Sequence, residues 1–279
     1  MTEAPGSLLN LLQLEKIDLN IYRAGFVFDE PFALYGGQVA TQSLLAAALT
    51  VDSGRLPHSL HGYFLRPGDA SKPTVFQVFR DRDGGSYSAR RVVALQNGRV
   101  IFNMSASFAL PGKSPDVQGD TALNDHELPM KEFYPIPRLF SFEGRRTEPG
   151  FPEPDYPQRF WARCTADLSR TGVGAATISR DLMNILAVTY LSDISSGIGT
   201  YNTEEFQSQS SLDHTLWFHR PMDAEEWMLM DLRPRSVAYG RGLYHGDITD
   251  SSGVLLASIS QQVLFRKRRA GGGAAPRPA

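Results

Sequence analysis

The sequence predicts an α+β fold built twice over, each copy placing an apolar central helix inside a curved antiparallel sheet. Three observations lead there. The stretch Ser59-Leu-His-Gly-Tyr-Phe-Leu-Arg-Pro67 is echoed by Ser211-Leu-Asp-His-Thr-Leu-Trp-Phe-His-Arg-Pro221; setting Pro67 on Pro221 pairs Arg66 with Arg220, Phe64 with Phe218 and Tyr63 with Trp217. Two segments, 39–49 and 181–191, the first made of strong helix formers, carry apolar residues on almost every face, so each has to be surrounded rather than merely docked. Each of these segments is followed by a train of alternating apolar and polar runs separated by turn residues, the pattern of half-buried strands.

Taken in order, residues 1–7 read as a frayed start and 8–14 as a short docking helix. Gly36-Gly37-Gln38 opens the first central helix. The first echo follows as a strand that stops at Arg66-Pro67, where proline withdraws its backbone donor. Strands are then predicted over 74–80, 86–95 and 99–110, punctuated by Asp83-Gly84-Gly85 and by Asn97-Gly98, a strong two-residue hairpin signal. The second copy repeats this order: the helix 181–191, then strands at 213–220, 226–232, 235–245 and 254–265, with a turn at Asp250-Ser-Ser-Gly253. Between the copies, residues 111–157 hold half of the chain's 18 prolines, which predicts an extended crossover with an edge strand near 139–144 and a better one at 159–163. The basic end, 267–279, has no apolar periodicity and reads as disordered. The expected units are therefore a first repeat over 8–110, the crossover 111–157, a second repeat over 158–266 and the tail.

Composition narrows the function. At 279 residues a large core is assured, and a net charge of -2 gives no electrostatic case for nucleic acid. Cys164 is the single cysteine, which excludes an internal disulfide framework and a multi-cysteine metal site. Neither a signal peptide nor a membrane-spanning stretch is legible, so the expectation is a cytoplasmic protein. The two echoes differ where chemistry can sit: the second has Asp213, His214 and His219 where the first has Ser59, Leu60 and Leu65. His214 and His219 are five apart and fall on opposite strand faces, as do His58 and His61, and no third ligand stands at metal spacing, so structural histidines are expected. There is no G-x-S-x-G elbow, Cys164 has no evident activating partner, and the glycine pairs are too short for a phosphate loop.

Gly36-Gly37-Gln38, His58-Ser-Leu-His-Gly-Tyr-Phe-Leu-Arg-Pro-Gly68, Ser86-Tyr-Ser-Ala-Arg-Arg91, Gln96-Asn-Gly98 and Ser211 to Pro221, in that order, resemble the acyl-CoA thioesterase II family from about Leu8 to Arg266. The resemblance implies a double hotdog fold and hydrolysis of fatty acyl-CoA without metal or other cofactor, coenzyme A entering as part of the substrate. It implies a water held by Asp193, Ser211 and Gln261, serine replacing the threonine of some relatives. By itself Asp193 reads as a helix-ending carboxylate bonded to Ser192, Ser195 or Ser196, Ser211 as a serine before a strand, and Gln261 equally as a solvent-facing glutamine. The physical case for Asp193 is its place at the end of an apolar helix, where dipole and burial both make a carboxylate a stronger proton acceptor. Alternation turns Gln262 to the face opposite Gln261. Gly36-Gly37 can present backbone donors to an oxyanion. Arg66, Arg90, Arg91, Arg220, Arg235 and Arg241 are the cations available for coenzyme A phosphates, and a homo-oligomer is expected. Two other readings stay open: a hydratase or dehydratase using Asp193 with a facing histidine, for which His219 is the candidate, and an acyl-CoA binder without turnover.

Overall fold

The computed structural model describes residues 6–25, 33–52, 54–119, 131–134, 136, 139–147, 158–174 and 176–268. A one-turn helix, α1 (Leu8–Leu11), capped by the Ser7 hydroxyl, leads into the hairpin β1 (Leu14–Asp18) and β2 (Ile21–Ala24). Helix α2 (Gly36–Ala48) precedes β3 (Leu56–Phe64), β4 (Thr74–Asp83), β5 (Tyr87–Gln96) and β6 (Arg99–Ala109). The crossover supplies β7 (Phe133–Tyr134) and β8 (Phe142–Arg146), followed by β9 (Arg159–Cys164) and the small pair β10 (Gly172–Val173) and β11 (Ala176–Thr177). The second copy then runs through α3 (Arg180–Ser192), a 3-10 helix at Ser195–Tyr201, β12 (Phe206–Ser211), β13 (Asp213–Phe218), β14 (Met228–Ala238), β15 (Arg241–Asp250) and β16 (Leu255–Lys267). No helix among the described residues is long and apolar enough to cross a membrane.

The two echoed stretches turn out to be neighbours. β3 and β13 pair antiparallel, with Leu216 opposite Leu60 and His214 opposite Gly62, and form the seam of one large sheet. Outward from the seam the strands run β3, β6, β5, β4, β2 on one side and β13, β16, β15, β14, β9 on the other, so the sheet repeats itself about the seam. Among the described residues it has 14 strands, β12 branching onto β16. Alternation along β13 sends His214, Leu216 and Phe218 into the core and Trp217 to the surface.

Both central helices are buried along almost their whole length, as their all-round apolar sequences require. Helix α2 packs on β2 to β6 and lies antiparallel to α3: the Tyr35 hydroxyl donates to the Tyr190 carbonyl at 3.0 Å and the Thr41 hydroxyl to that of Leu186 at 3.4 Å. The start of α2 therefore sits beside the end of α3. Such closeness explains Gly37, whose Cβ would stand 2.6 Å from the Tyr190 carbonyl oxygen.

Several expectations need correction. The strand expected over 235–245 is two strands, because Tyr239 and Gly240 take φ 49° and 73° and fold a hairpin; tyrosine is not a residue that announces such a turn. The docking helix ends at Leu11, and Leu14 already begins β1. His58 and His61 share the outer face, since a bulge between Pro57 and Ser59 shifts the alternation and brings His58 Nε2 to 2.8 Å from Ser107 Oγ. β16 continues through Lys267, opposite Phe206; residues 269–279 of the expected tail lie outside the described residues, as do 1–5, 120–130 and 148–157.

Candidate active site

Three elements of the second copy and one of the first converge where α3 ends. Asp193 is the C-cap of α3, 5 % exposed. Ser211 closes β12 and Gln261 lies inward on β16, completely buried, while Gln262 turns outward, its backbone N–H donating to Asp213 at 2.8 Å and its carbonyl accepting from the Leu212 N–H at 2.8 Å. The Gln261 side chain joins the three predicted residues: Nε2 donates to Asp193 Oδ1 at 2.9 Å and to Ser211 Oγ at 2.5 Å.

The other end of that amide is fixed just as firmly. Gln261 Oε1 accepts from the Tyr244 hydroxyl at 2.8 Å and lies 2.7 Å from His214 Nδ1. A carboxylate accepts only, so Nε2 must face Asp193; Oε1 then faces two donors, and His214 carries its proton on Nδ1. His214 Nε2 stands 2.8 Å from Ser192 Oγ, whose single hydrogen is contested by the Thr189 carbonyl, also at 2.8 Å. Burial pushes the imidazole down to about 4, against the pull of its bond to Gln261. It is therefore neutral at pH 7, and its 4.0 Å approach to Asp193 Oδ1 is not an ion pair. Tyr244 is held well above the ordinary phenol range by burial first and then by the charges of Asp193 and Asp213, so its hydroxyl keeps its hydrogen, for which Gln261 Oε1 at 2.8 Å and the Ile194 carbonyl at 3.1 Å compete. Every hydrogen-bonding position of Gln261 is in use.

The first copy contributes its helix start. A Cβ built on Gly36 would lie 2.4 Å from Asp193 Oδ2 and 2.7 Å from the Phe64 ring, so the first turn of α2 is against the carboxylate itself. The dipole of α3 disfavours a charge at Asp193, but the N-terminus of α2 favours it, an opposition that reading α3 alone does not reveal. Replacing Gly36 with alanine is expected to displace Asp193 or Phe64 and to lower kcat roughly 10–10²-fold. Thermal melting should stay near wild type; an unchanged kcat would show that the carboxylate can move without consequence.

His214 and Tyr244 were not among the predicted site residues. Counting back from the turn at 250–253 sets Tyr244 opposite Ser260; a register shift between Ile248 and Thr249 moves it opposite Gln261, so the pair is not legible from the turn alone. The histidine near Asp193 is His214 and not the expected His219, which alternation places on the outer face, bonded to Ser258 Oγ at 3.0 Å. The same positions in the first copy carry no such chemistry. Aligning the echoes sets Leu60 on His214, and the matching strand pairings set Ala106 on Gln261 and Arg90 on Tyr244. Arg90 is buried there and donates to Asp83 Oδ1 at 2.6 Å and to the Thr50 hydroxyl and carbonyl at 2.8 and 2.9 Å.

Of the other cations, Arg220 is held by Asp116 and the Leu255 carbonyl, Arg66 by the Val100 carbonyl, and Arg91 by Asp81 and the Phe79 ring; Arg235 and Arg241 stand on the β14–β15 hairpin. Cys164 ends β9, its thiol pushed up to about 12 by burial, which makes it a poor nucleophile.

Comparison with known proteins gives a consistent result. Residues 29–109 match the family described as the acyl-CoA thioesterase N-terminal domain, and residues 114–265 its C-terminal domain. The chain is 30 % identical to acyl-coenzyme A thioesterase 8 of Homo sapiens, over 95 % of this chain and 92 % of that protein. It is 29 % identical to acyl-CoA thioesterase 2 of Haemophilus influenzae, over 95 % and 99 %. Among solved structures, an acyl-CoA thioesterase II from Mycobacterium marinum is 36 % identical with a TM-score of 0.70, covering 95 % of this chain and 98 % of that one. A hot dog fold protein of unknown function from Alicyclobacillus acidocaldarius superposes with a TM-score of 0.67 at 17 % identity, over 94 % and 97 %, a likeness of fold alone.

Proposed function

Because the chain belongs to the acyl-CoA thioesterase family, a family of thioester hydrolases, we propose that it hydrolyses fatty acyl-CoA by direct attack of a water set between Asp193 and Ser211. The observation that carries this reading is the Gln261 side chain, which joins the Asp193 carboxylate to the Ser211 hydroxyl and is itself held at both ends. Asp193 accepts a proton from the water, Ser211 fixes its remaining valence, and the water oxygen attacks the thioester carbonyl. The oxyanion then forms near the amides of Gly36 and Gly37, the first two of α2, which have no acceptor within the helix. Collapse breaks the carbon–sulfur bond, and the departing sulfur takes the proton held by Asp193, releasing the fatty acid and the thiol of coenzyme A and restoring the carboxylate. In this reading Gln261 positions the two groups that touch the water, and His214 and Tyr244 hold Gln261.

Each copy is read as a hotdog unit wrapped on its own helix, with the first copy structural and the second catalytic, Arg90 filling the place of Tyr244. Tyr63, opposite Asp213, and Trp217, opposite Ser59, are both exposed on the outer face of the seam and support association with a second copy through that face. The test is release of free thiol from acyl-CoAs of increasing chain length. Turnover at one or more lengths is expected, and a protein that binds acyl-CoA yet releases no thiol at any length would refute hydrolysis. Loss of conjugated absorbance from an enoyl-CoA would instead favour hydration, with neutral His214 close to Asp193.

A further inference from the structure

We propose that the tip of the β14–β15 hairpin is a docking surface for an anionic lipid bilayer. The end of this hairpin is a sheet edge, with β14 paired to β9 only through Asp231 while β15 stays paired to β16 up to Arg241; Arg233, Arg235, Val237, Tyr239 and Arg241 are all exposed, and Tyr239, at the apex, is 94 % exposed. Its backbone makes this exposure harder to treat as neutral. Tyr239 and Gly240 adopt φ 49° and 73°, and the chain builds the other two-residue turn of this shape, at φ 49° and 70°, from Asn97 and Gly98. Asparagine tolerates the left-handed region and tyrosine does so poorly, so the apex carries an aromatic ring where local stability favours a small amide.

Cations stand behind the ring. An Arg266 guanidinium nitrogen comes within 3.8 Å of the Cβ position on Gly240, which lays that side chain along the turn. Lys267 and Arg268 follow it, Lys267 paired with Glu205 at 3.0 Å and Arg268 donating to the Thr203 carbonyl at 2.8 Å. Arg235, Arg241 and Arg266 have no ion pair among the described residues. Opposite Lys267 is Phe206, 40 % exposed. In a chain of net charge -2 this is a local excess of positive charge, capped by exposed aromatic surface. A phenol ring settles at the headgroup level of a bilayer with its hydroxyl in water, and guanidinium groups meet lipid phosphates. An acidic polymer would engage the same arginines, and it is the alternative occupant that the test below includes. The tip lies roughly 17 Å along β15 from Tyr244, so a bilayer held there is near the site where an amphiphilic thioester would react.

The test is flotation of the full chain with vesicles of phosphatidylcholine alone and of phosphatidylcholine enriched in phosphatidylglycerol. Binding is expected only with the anionic vesicles, with release at high salt. Reversing both Arg241→Glu and Arg266→Glu should weaken it tenfold or more, on the order of the effect of two basic residues at a charged surface. Tyr239→Asn should weaken binding while leaving the melting temperature unchanged or higher, which separates docking from folding. Three results overturn the proposal: no flotation of the wild type on anionic vesicles, flotation of both variants at wild-type strength, or binding of soluble polyglutamate as tight as that of the vesicles.

Discussion

Replacing Asp193 with asparagine is expected to lower kcat for thiol release by about 10²–10⁴-fold while KM changes little, the range attributed to a lost general base. The substitution preserves shape, and an amide oxygen can still accept from Gln261 Nε2, so the chain should fold and melt as before. What disappears is the ability to take a proton from water. A variant that retains wild-type kcat would remove Asp193 from the mechanism. Loss of kcat accompanied by a lowered melting temperature would assign it a structural role as the C-cap of α3.

His214→Leu is the second large effect expected, with kcat falling about 10²-fold through loss of Gln261 alignment. Leucine is what the first copy carries at this position, buried as Leu60, so the exchange is compatible with the surrounding packing. Tyr244 still donates to Gln261 Oε1 and Ser192 to the Thr189 carbonyl, so no buried group is orphaned. His214→Asn, which can supply a donor near the Nδ1 position, should recover much of the rate. A rate equally low in both variants would argue against positioning. Acid stability gives a separate readout. Below 6.5 the unfolded chain binds a proton that buried His214 accepts only near 4, so the folded state loses stability as pH falls through that window, by roughly 3 kcal/mol at most. The leucine variant has no such proton, and its melting temperature should fall less steeply from pH 7 to pH 4.

How legible this molecule is in its sequence depends on distance along the chain. Helices α2 and α3 were found nearly to the residue because a segment apolar all round has few other fates. The Asn97-Gly98 and Asp250–Gly253 turns were found because their residues suit left-handed or tight backbone. Tyr239-Gly240 was hidden for the converse reason. Asp193, Ser211 and Gln261 were named through resemblance, since each alone has an ordinary explanation. Their joining by one amide, and the holding of that amide by His214 and Tyr244, depends on register between strands far apart in sequence. The bulge at His58 shows how one inserted residue defeats alternation. No linear pattern states that Gly36 meets Asp193, because that contact follows from the antiparallel packing of two helices.

The contact between Gly36 and Asp193 also bears on dilution. The carboxylate and its Gln261 support come from one copy and the helix start that faces them from the other, so a complete centre exists only where both copies are docked. Separate subunits would assemble such a centre in proportion to their concentration. Here the crossover ties the partners together, and the local concentration of one copy around the other is set by the tether rather than by the amount of protein. Specific activity should therefore hold constant on dilution wherever the single chain suffices, and in the proposed reading the first copy, with Arg90, Ala106 and Leu60 at the matching positions, contributes its helix start without chemistry of its own.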